Sequence, residues 1–203
     1  YFCLEKEIKG QSLSSLLDDG LSPNEIKMYA YQAGVMLAKI HNVETLNYGH
    51  FIENGKAEYT HISTSMNLEK DYADLLAISL WINLPKKILD RAVEIVNNFE
   101  SIETPHLLHI DYAPKHIFVH NKKIVGVIDF ELCISGITST DINRWRAEDS
   151  RISIMDIIEG YESVKTLPED FWETMFIIQI HSAFRTMLYH FRVTGEKSEI
   201  SRA

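Results

Sequence analysis

The sequence predicts a predominantly helical α+β domain with a few short strands in its middle. Three observations carry that reading. Ile26, Tyr29, Ala30, Ala33, Met36, Leu37 and Ile40 recur at helical spacing. Phe171, Met175, Ile178, Ala183, Met187 and Phe191 repeat the pattern near the end of the chain. Between them, residues 117–120 and 124–128 are β-rich runs around Asn121-Lys122, the pattern of a β-hairpin.

Each element has a local signal. Residues 1–8 are aromatic and apolar and read as a strand that Gly10 ends. Residues 12–17 form a short helical turn, and Asp18-Asp19-Gly20 break it. Ser22-Pro23-Asn24-Glu25 opens the next helix with a capping box and a proline at the first helical position. That helix ends near His41-Asn42. Residues 43–66 are polar and read as irregular. Two helices follow, one through Tyr72, Leu75, Leu76, Ile78 and Trp81, the other after Pro85 through Ile88, Ala92, Ile95 and Phe99. Residues 107–110 form a short strand before the hairpin, and helices are expected over 149–161 and from Pro168 to about Val193.

Composition bounds the function. A chain of 203 residues suits one domain, or one large lobe plus a fragment. With 45% apolar and 24% charged residues, disorder, collagen and coiled coil are poor readings. Lys plus Arg is 20 and Asp plus Glu is 29, a net charge of −9 that repels nucleic acid and tolerates a cationic small molecule. Cys3 and Cys133 form no disulfide framework or zinc spacing, which fits a reducing cytoplasm. The apolar runs are too short for a membrane span, so no membrane partner is expected.

The chemistry concentrates in residues 107–141. His109-x-Asp111 closes a short strand, Tyr112 to Lys115 make a loop, and His116 leads into the hairpin, whose second strand ends at Asp129. The hairpin can return Asp129 to the edge where Asp111 stands. One carboxylate then orients a hydroxyl while the other holds a metal ion, as phosphoryl transfer requires. The residues alone leave other readings open. His109, Asp111, His116 and His120 could form a hydrolytic metal cluster. Glu131 could meet metal, substrate or only nearby backbone, and Tyr112 could line an acceptor site. His41 and His50 read as structural or exposed, and Glu148, Asp149, Asp156 and Glu159 as a solvated helix face more than a site for an aminated substrate.

This stretch resembles the aminoglycoside phosphotransferase and choline kinase family, small-molecule relatives of protein kinases. Their His-Gly-Asp-x-x-x-x-Asn loop is matched by His109-Ile110-Asp111 and His116-Ile117-Phe118-Val119, and their second motif by Val127-Ile128-Asp129-Phe130-Glu131. Gly136 and Asp141, the helix end Leu37-Ala38-Lys39-Ile40-His41, and Ile8-x-Gly10-x-x-Leu13 match further family segments. The resemblance implies the C-lobe of a protein-kinase-like fold, with residues 1–10 the hinge strand at the end of a missing N-lobe and residues 11–203 the C-lobe. It implies Asp111 as the catalytic carboxylate and Asp129, supported by His116, as the Mg²⁺ site. Backbone near Lys6, Glu7 and Ile8 would meet the base of ATP or GTP. Asp141 would brace the catalytic loop, and His109 would be a packed residue. The acceptor would be a hydroxyl of a small polar or cationic molecule.

Two positions depart from the pattern. His116 replaces the metal-binding Asn, although the aminoglycoside 2″-phosphotransferases carry a similar Asp-x-x-x-x-His-Ile. Ile110 replaces the glycine after the catalytic His. No phosphate-covering loop or phosphate-pairing lysine precedes Tyr1, so the chain by itself is expected to be inactive. A kinase-like remnant that binds a ligand or a protein is the competing reading.

Overall fold

The structure, a computed structural model, describes residues 7–148 and 150–194. Short strands and helices alternate in two groups. Strand β1 (Gln11–Ser12) runs into α1 (Leu13–Asp18), then α2 (Pro23–Ile40). Strands β2 (Tyr48–Phe51) and β3 (Ala57–Tyr59) precede α3 (Ile62–Met66), α4 (Tyr72–Trp81) and α5 (Lys86–Asn97). Then come β4 (His106–Leu108), the hairpin β5 (Ile117–His120) and β6 (Lys123–Val127), and β7 (Ile134–Gly136). Helices α6 (Ser139–Glu148), α7 (Ile154–Glu162) and α8 (Phe171–Tyr189) complete the chain, with a π-helical turn over His190–Thr194.

The expected α+β class holds, and the capping box forms: Ser22 accepts from Glu25 N, and the Glu25 side chain accepts from Ser22 N. Three expectations are corrected. Residues 7–9 carry no regular structure, and the first described strand is Gln11–Ser12, paired with β5; residues 1–6 lie outside the described residues. The stretch 43–66 is not irregular. It holds β2, β3 and α3, whose strands are short and half polar, so they show no alternation. The helix expected over 149–161 is α7, which begins at Ile154, and α6 over Ser139–Glu148 is not among the expected helices, because Asp141 and Trp145 on it are buried against the protein rather than forming an apolar stripe.

Two antiparallel sheets, β1-β5-β6 and β3-β2-β7-β4, flank the loop after β4. Two apolar cores support them. One joins α1, α2, β5, α6 and α7 through Leu37, Tyr112, Ile117, Trp145 and Tyr161. The other joins α3, α4, α5 and α8 through Leu68, Ile78, Leu89, Val96 and Ile178. Helices α2 and α7 pack backbone to backbone. A Cβ on Gly34 would lie 1.9 Å from Ile157 O, and one on Gly160 would lie 1.9 Å from Tyr31 O, so only glycine permits the approach. Among the described residues no helix is long and apolar enough to cross a membrane.

Candidate functional site

Strand β4 delivers the chain to a loop that is held by its backbone. Ile110 sits at φ 68°, a left-handed conformation rare for a β-branched residue. The turn points two successive N–H groups at one carboxylate: His109 N donates to Asp141 Oδ2 and Ile110 N to Asp141 Oδ1, both at 2.7 Å. Asp141 is fully buried. Its third donor is His41 Nε2 at 3.0 Å, and His41 Nδ1 stands 3.1 Å from the Tyr161 hydroxyl. Burial pushes the Tyr161 hydroxyl pKa well up, so it stays protonated and donates to Nδ1, leaving the Nε2 proton for Asp141. The Tyr161–His41–Asp141 chain thus ties α7, the end of α2 and α6 to the loop. Of the two readings the sequence left for His41, structural or exposed, the first holds: it is wholly buried.

His109 is packed, as expected. Its Nε2 donates to Ile128 O at 2.9 Å, its Nδ1 accepts from Asp111 N at 3.3 Å, and its ring lies 4.5 Å from that of Phe130. Tyr112 does not line an acceptor site. It is fully buried and its hydroxyl donates to Ala33 O at 2.8 Å.

Asp111, His116 and Asp129 come together, each offering one ligand atom within 4.8 Å of the others. A 3₁₀ turn over Pro114–His116 swings the imidazole back, where Nδ1 donates to Asp111 O at 2.8 Å. A carbonyl only accepts, so Nδ1 carries a proton. Nε2 then faces Asp129 Oδ2 at 3.1 Å. The hairpin closes this geometry: Ile128 N donates to His116 O at 3.0 Å, and Asp129 follows at φ 70° with its carboxylate partly exposed. Two carboxylates suit a hard divalent cation such as Mg²⁺, whereas the imidazole is the weaker member of the set. The donors present fit such an ion through their oxygens, with His116 beside them.

Asp111 is electrostatically dressed. Burial pushes its carboxyl pKa up, but Lys115, His116 and Arg144 together outweigh that and hold it below the usual range. Lys115 Nζ lies 3.0 Å from Oδ2 and Arg144 Nη2 3.5 Å from Oδ1. Sequence reasoning missed Arg144 and Lys115. The only signal for Arg144 is its position three residues after Asp141, on the same helical face.

The other predicted residues do not join. His120 is exposed at the hairpin tip, and His109 is bonded elsewhere, so the four-residue hydrolytic cluster does not form. His50 and Glu131 are exposed. Asp156 and Glu159 lie 3.6 and 3.4 Å from Lys27, as a solvated face would. The side chains of Glu148 and Asp149 lie outside the described residues. Of the base-binding trio, Lys6 lies outside the described residues, Glu7 is exposed, and Ile8 packs over Gly126 of β6.

A cleft of about 830 Å³ opens beside the loop, lined by Ile110 and Leu132 together with Glu58, Glu69, Asp71 and Arg185. Asp71 is paired with Arg185 at 3.1 Å and with Arg192 at 2.7 Å. His181, in the cleft lining, is pushed down to about 4 by burial and then by Arg185, so it is neutral at pH 7.

Comparison with known proteins gives a consistent family. Residues 1–161 match the model of APH, the phosphotransferase enzyme family. No curated protein matches. Among solved structures, a thermostable mutant of aminoglycoside phosphotransferase APH(4)-Ia superposes with a TM-score of 0.67 at 17% identity, covering 97% of this chain and 67% of that one. A ternary complex of that enzyme with AMP-PNP and hygromycin B gives 0.65 at 17% identity, covering 96% of this chain and 65% of that one. The gentamicin complex of APH(2″)-IIa gives 0.61 at 16% identity, covering 97% and 66%. Macrolide 2′-phosphotransferase MphH from Brachybacterium faecium gives 0.53 at 15% identity, covering 87% and 58%. The chain thus shares the kinase-like fold of these enzymes and spans about two thirds of their length or less.

Proposed function

Because the chain belongs to the APH phosphotransferase family, we propose that it moves the γ-phosphoryl group of ATP or GTP to a hydroxyl of a small polar or cationic molecule of the aminoglycoside kind. The observation that carries this reading is the meeting of Asp111, His116 and Asp129 within 4.8 Å, beside a cleft lined by the loop's own Ile110. Complexes of relatives with AMP-PNP and hygromycin B, and with gentamicin, support a nucleotide donor and an aminated acceptor. The carboxylates of Glu58 and Glu69 in the cleft, and the net charge of −9, suit the same acceptor class.

In this reading Asp111 accepts a hydrogen bond from the acceptor hydroxyl and aims its oxygen at the γ-phosphorus. The new O–P bond forms as the bond to the β–γ bridging oxygen breaks, and the nucleoside diphosphate leaves. Asp111 takes the hydroxyl proton. A carboxyl held below its usual range is a weak base, so its contribution is mainly orientation, which suits a loose transition state. Asp129 would hold Mg²⁺, with His116 supporting that carboxylate. The ion, when bound, neutralises charge on the phosphates. Backbone around Lys6, Glu7 and Ile8 meets the nucleotide base. In the same reading residues 1–10 serve as a hinge strand and residues 11–203 as a kinase-like C-lobe.

The test is a coupled kinase assay of the full-length protein against a panel of aminoglycosides, amino alcohols and sugars, with ATP and with GTP. Asp111→Ala is expected to lower turnover by orders of magnitude while the circular dichroism spectrum is retained. Unchanged turnover in that variant would refute the assignment of Asp111, whereas a parent protein that phosphorylates no acceptor with either nucleotide would favour a non-catalytic binding module.

A further inference from the structure

We propose that Arg144 is a positioning residue for the Asp111 carboxylate, so that α6 holds the catalytic loop twice, by Asp141 at its backbone and by Arg144 at its working side chain. The inference rests on the reading of Asp111 as the group that faces the acceptor hydroxyl. Asp141 and Arg144 stand three residues apart on α6 and share one face of it. Asp141 takes the N–H groups of His109 and Ile110 at 2.7 Å each. One turn on, the Arg144 guanidinium meets Asp111 Oδ1 at 3.5 Å. Backbone and side chain of adjacent loop residues are thus referenced to the same rigid rod.

The second cation does a different job. Lys115 reaches Asp111 Oδ2 at 3.0 Å from four residues away on the same loop; its side chain and that of Arg144 are both about half exposed, so what separates the two is the element each stands on. Lys115 neutralises charge and moves with the loop. Arg144 comes from a helix whose neighbouring residues Ile142 and Trp145 are both fully buried. It therefore fixes the carboxylate relative to the scaffold. A carboxyl group turns broadly about its terminal torsion, so one cation would leave its two oxygens interchangeable. Two cations, one per oxygen and from two elements, leave one orientation. Asp111 Oδ1 is shielded from water and accepts no hydrogen bond among the described residues, so the guanidinium is the charge that compensates it. An arginine suits the role because its charge does not titrate and its planar fork is stiff.

The experiment is a double-mutant cycle in the full-length protein, with turnover and both KM values measured in the coupled assay. Arg144→Gln should lower kcat by about 10- to 100-fold, the scale of an ångström-level misplacement of a reacting group. Both KM values should stay within about two-fold, as expected of a residue that acts through Asp111 and not on substrate. Arg144→Lys should recover part of kcat. In an Asp111→Asn background, Arg144→Gln should have no further effect on the residual rate. An equal loss in both backgrounds would assign Arg144 a general structural role and overturn the inference, as would an unchanged kcat in a folded Arg144→Gln protein. If Asp111→Asn itself leaves turnover intact, the reading of Asp111 fails and this inference falls with it. That outcome is separate from an inert Asp111→Asn protein in which Arg144 proves irrelevant, where the reading survives and only the positioning role is lost.

Discussion

The two walls of the cleft are held by different forces. On the loop side, Asp141, His41, Tyr161 and His109 are buried hydrogen-bonding groups with short, specific partners. Elsewhere in the cleft lining Asp71 and Arg185, with Asp74 and Arg192 behind them, form ion pairs in which both arginines are about half exposed. Hydrogen bonds to buried charge contribute roughly 1.5–3 kcal/mol each, whereas the pairs of Asp71, itself buried, end on half-exposed arginines whose solvent screening lowers their contribution toward about 1 kcal/mol. The loop wall is therefore rigid and intolerant, and the other wall is adjustable. That division suits a reaction whose transition state asks for fixed geometry on one side and for recognition of varied acceptors on the other.

The sharpest way to break this contrast is Asp141→Ala. Three donors lose their acceptor at a fully buried position, so stability should fall by about 4 kcal/mol and turnover by at least about 100-fold. A denaturant melt and the coupled assay measure both. A melt unchanged from the parent would mean that the buried network does not hold the loop.

Acid should strain both walls. His106, buried beside Glu103 at 3.7 Å, is pushed down to about 4 by burial and then by Lys165 and His41, while burial pushes Glu103 up. A histidine depressed in the folded state keeps its full contribution above about pH 6.5. It loses that contribution as pH falls toward 4, because only the unfolded chain then takes up the proton. The loss should approach about 3 kcal/mol, in urea melts between those two pH values. His106→Gln should flatten that slope. His181→Gln should flatten it similarly, since His181 is depressed to about the same value.

Gly34→Ala probes the scaffold behind the loop wall. Its Cβ would lie 1.9 Å from a backbone oxygen of α7, which cannot swing aside. A destabilisation of about 2 kcal/mol is expected, and less on the turnover of the folded fraction. The second wall should respond the other way. Glu58→Gln is expected to move stability by less than about 0.5 kcal/mol but to raise the KM of a cationic acceptor several-fold, leaving kcat in place. A change in kcat with constant KM would erase the division between the walls.

The sequence displayed one wall better than the other. Asp111 and Asp129 stood out because the hairpin between them is local, its two β-rich runs closing on Asn121-Lys122, both of which take positive φ. The capping box of α2 was visible for the same reason, being complete within four residues. What stayed hidden is what the fold assembles from a distance. His41 and Asp141 are 100 residues apart, and no local pattern couples them. Strand β2 pairs with β7 through Gly49 and Ser135, too short and too polar for a periodic signal. Helix α6 buries an aspartate and a tryptophan in place of an apolar stripe, so the helix left no periodic signal.

The smallest expected effect tests the place where both walls meet. Ile110 lines the cleft and also forms the turn that aims two N–H groups at Asp141. Four of the other described non-glycine residues at positive φ are asparagines, which tolerate that conformation; a β-branched side chain there carries strain of roughly 1–2 kcal/mol. Ile110→Asn relieves the strain while giving up a partly buried apolar side chain, a loss of similar size. The two effects should nearly cancel, leaving stability within about 0.5 kcal/mol, whereas Ile137→Asn at a fully buried site should cost several times more. If Ile110→Asn instead costs above about 2 kcal/mol, packing across the cleft outweighs the turn, and the rigid wall reaches further into the acceptor site than its hydrogen bonds do. If the cost stays small and the acceptor KM changes, the side chain at this position serves recognition while its backbone serves the chemistry.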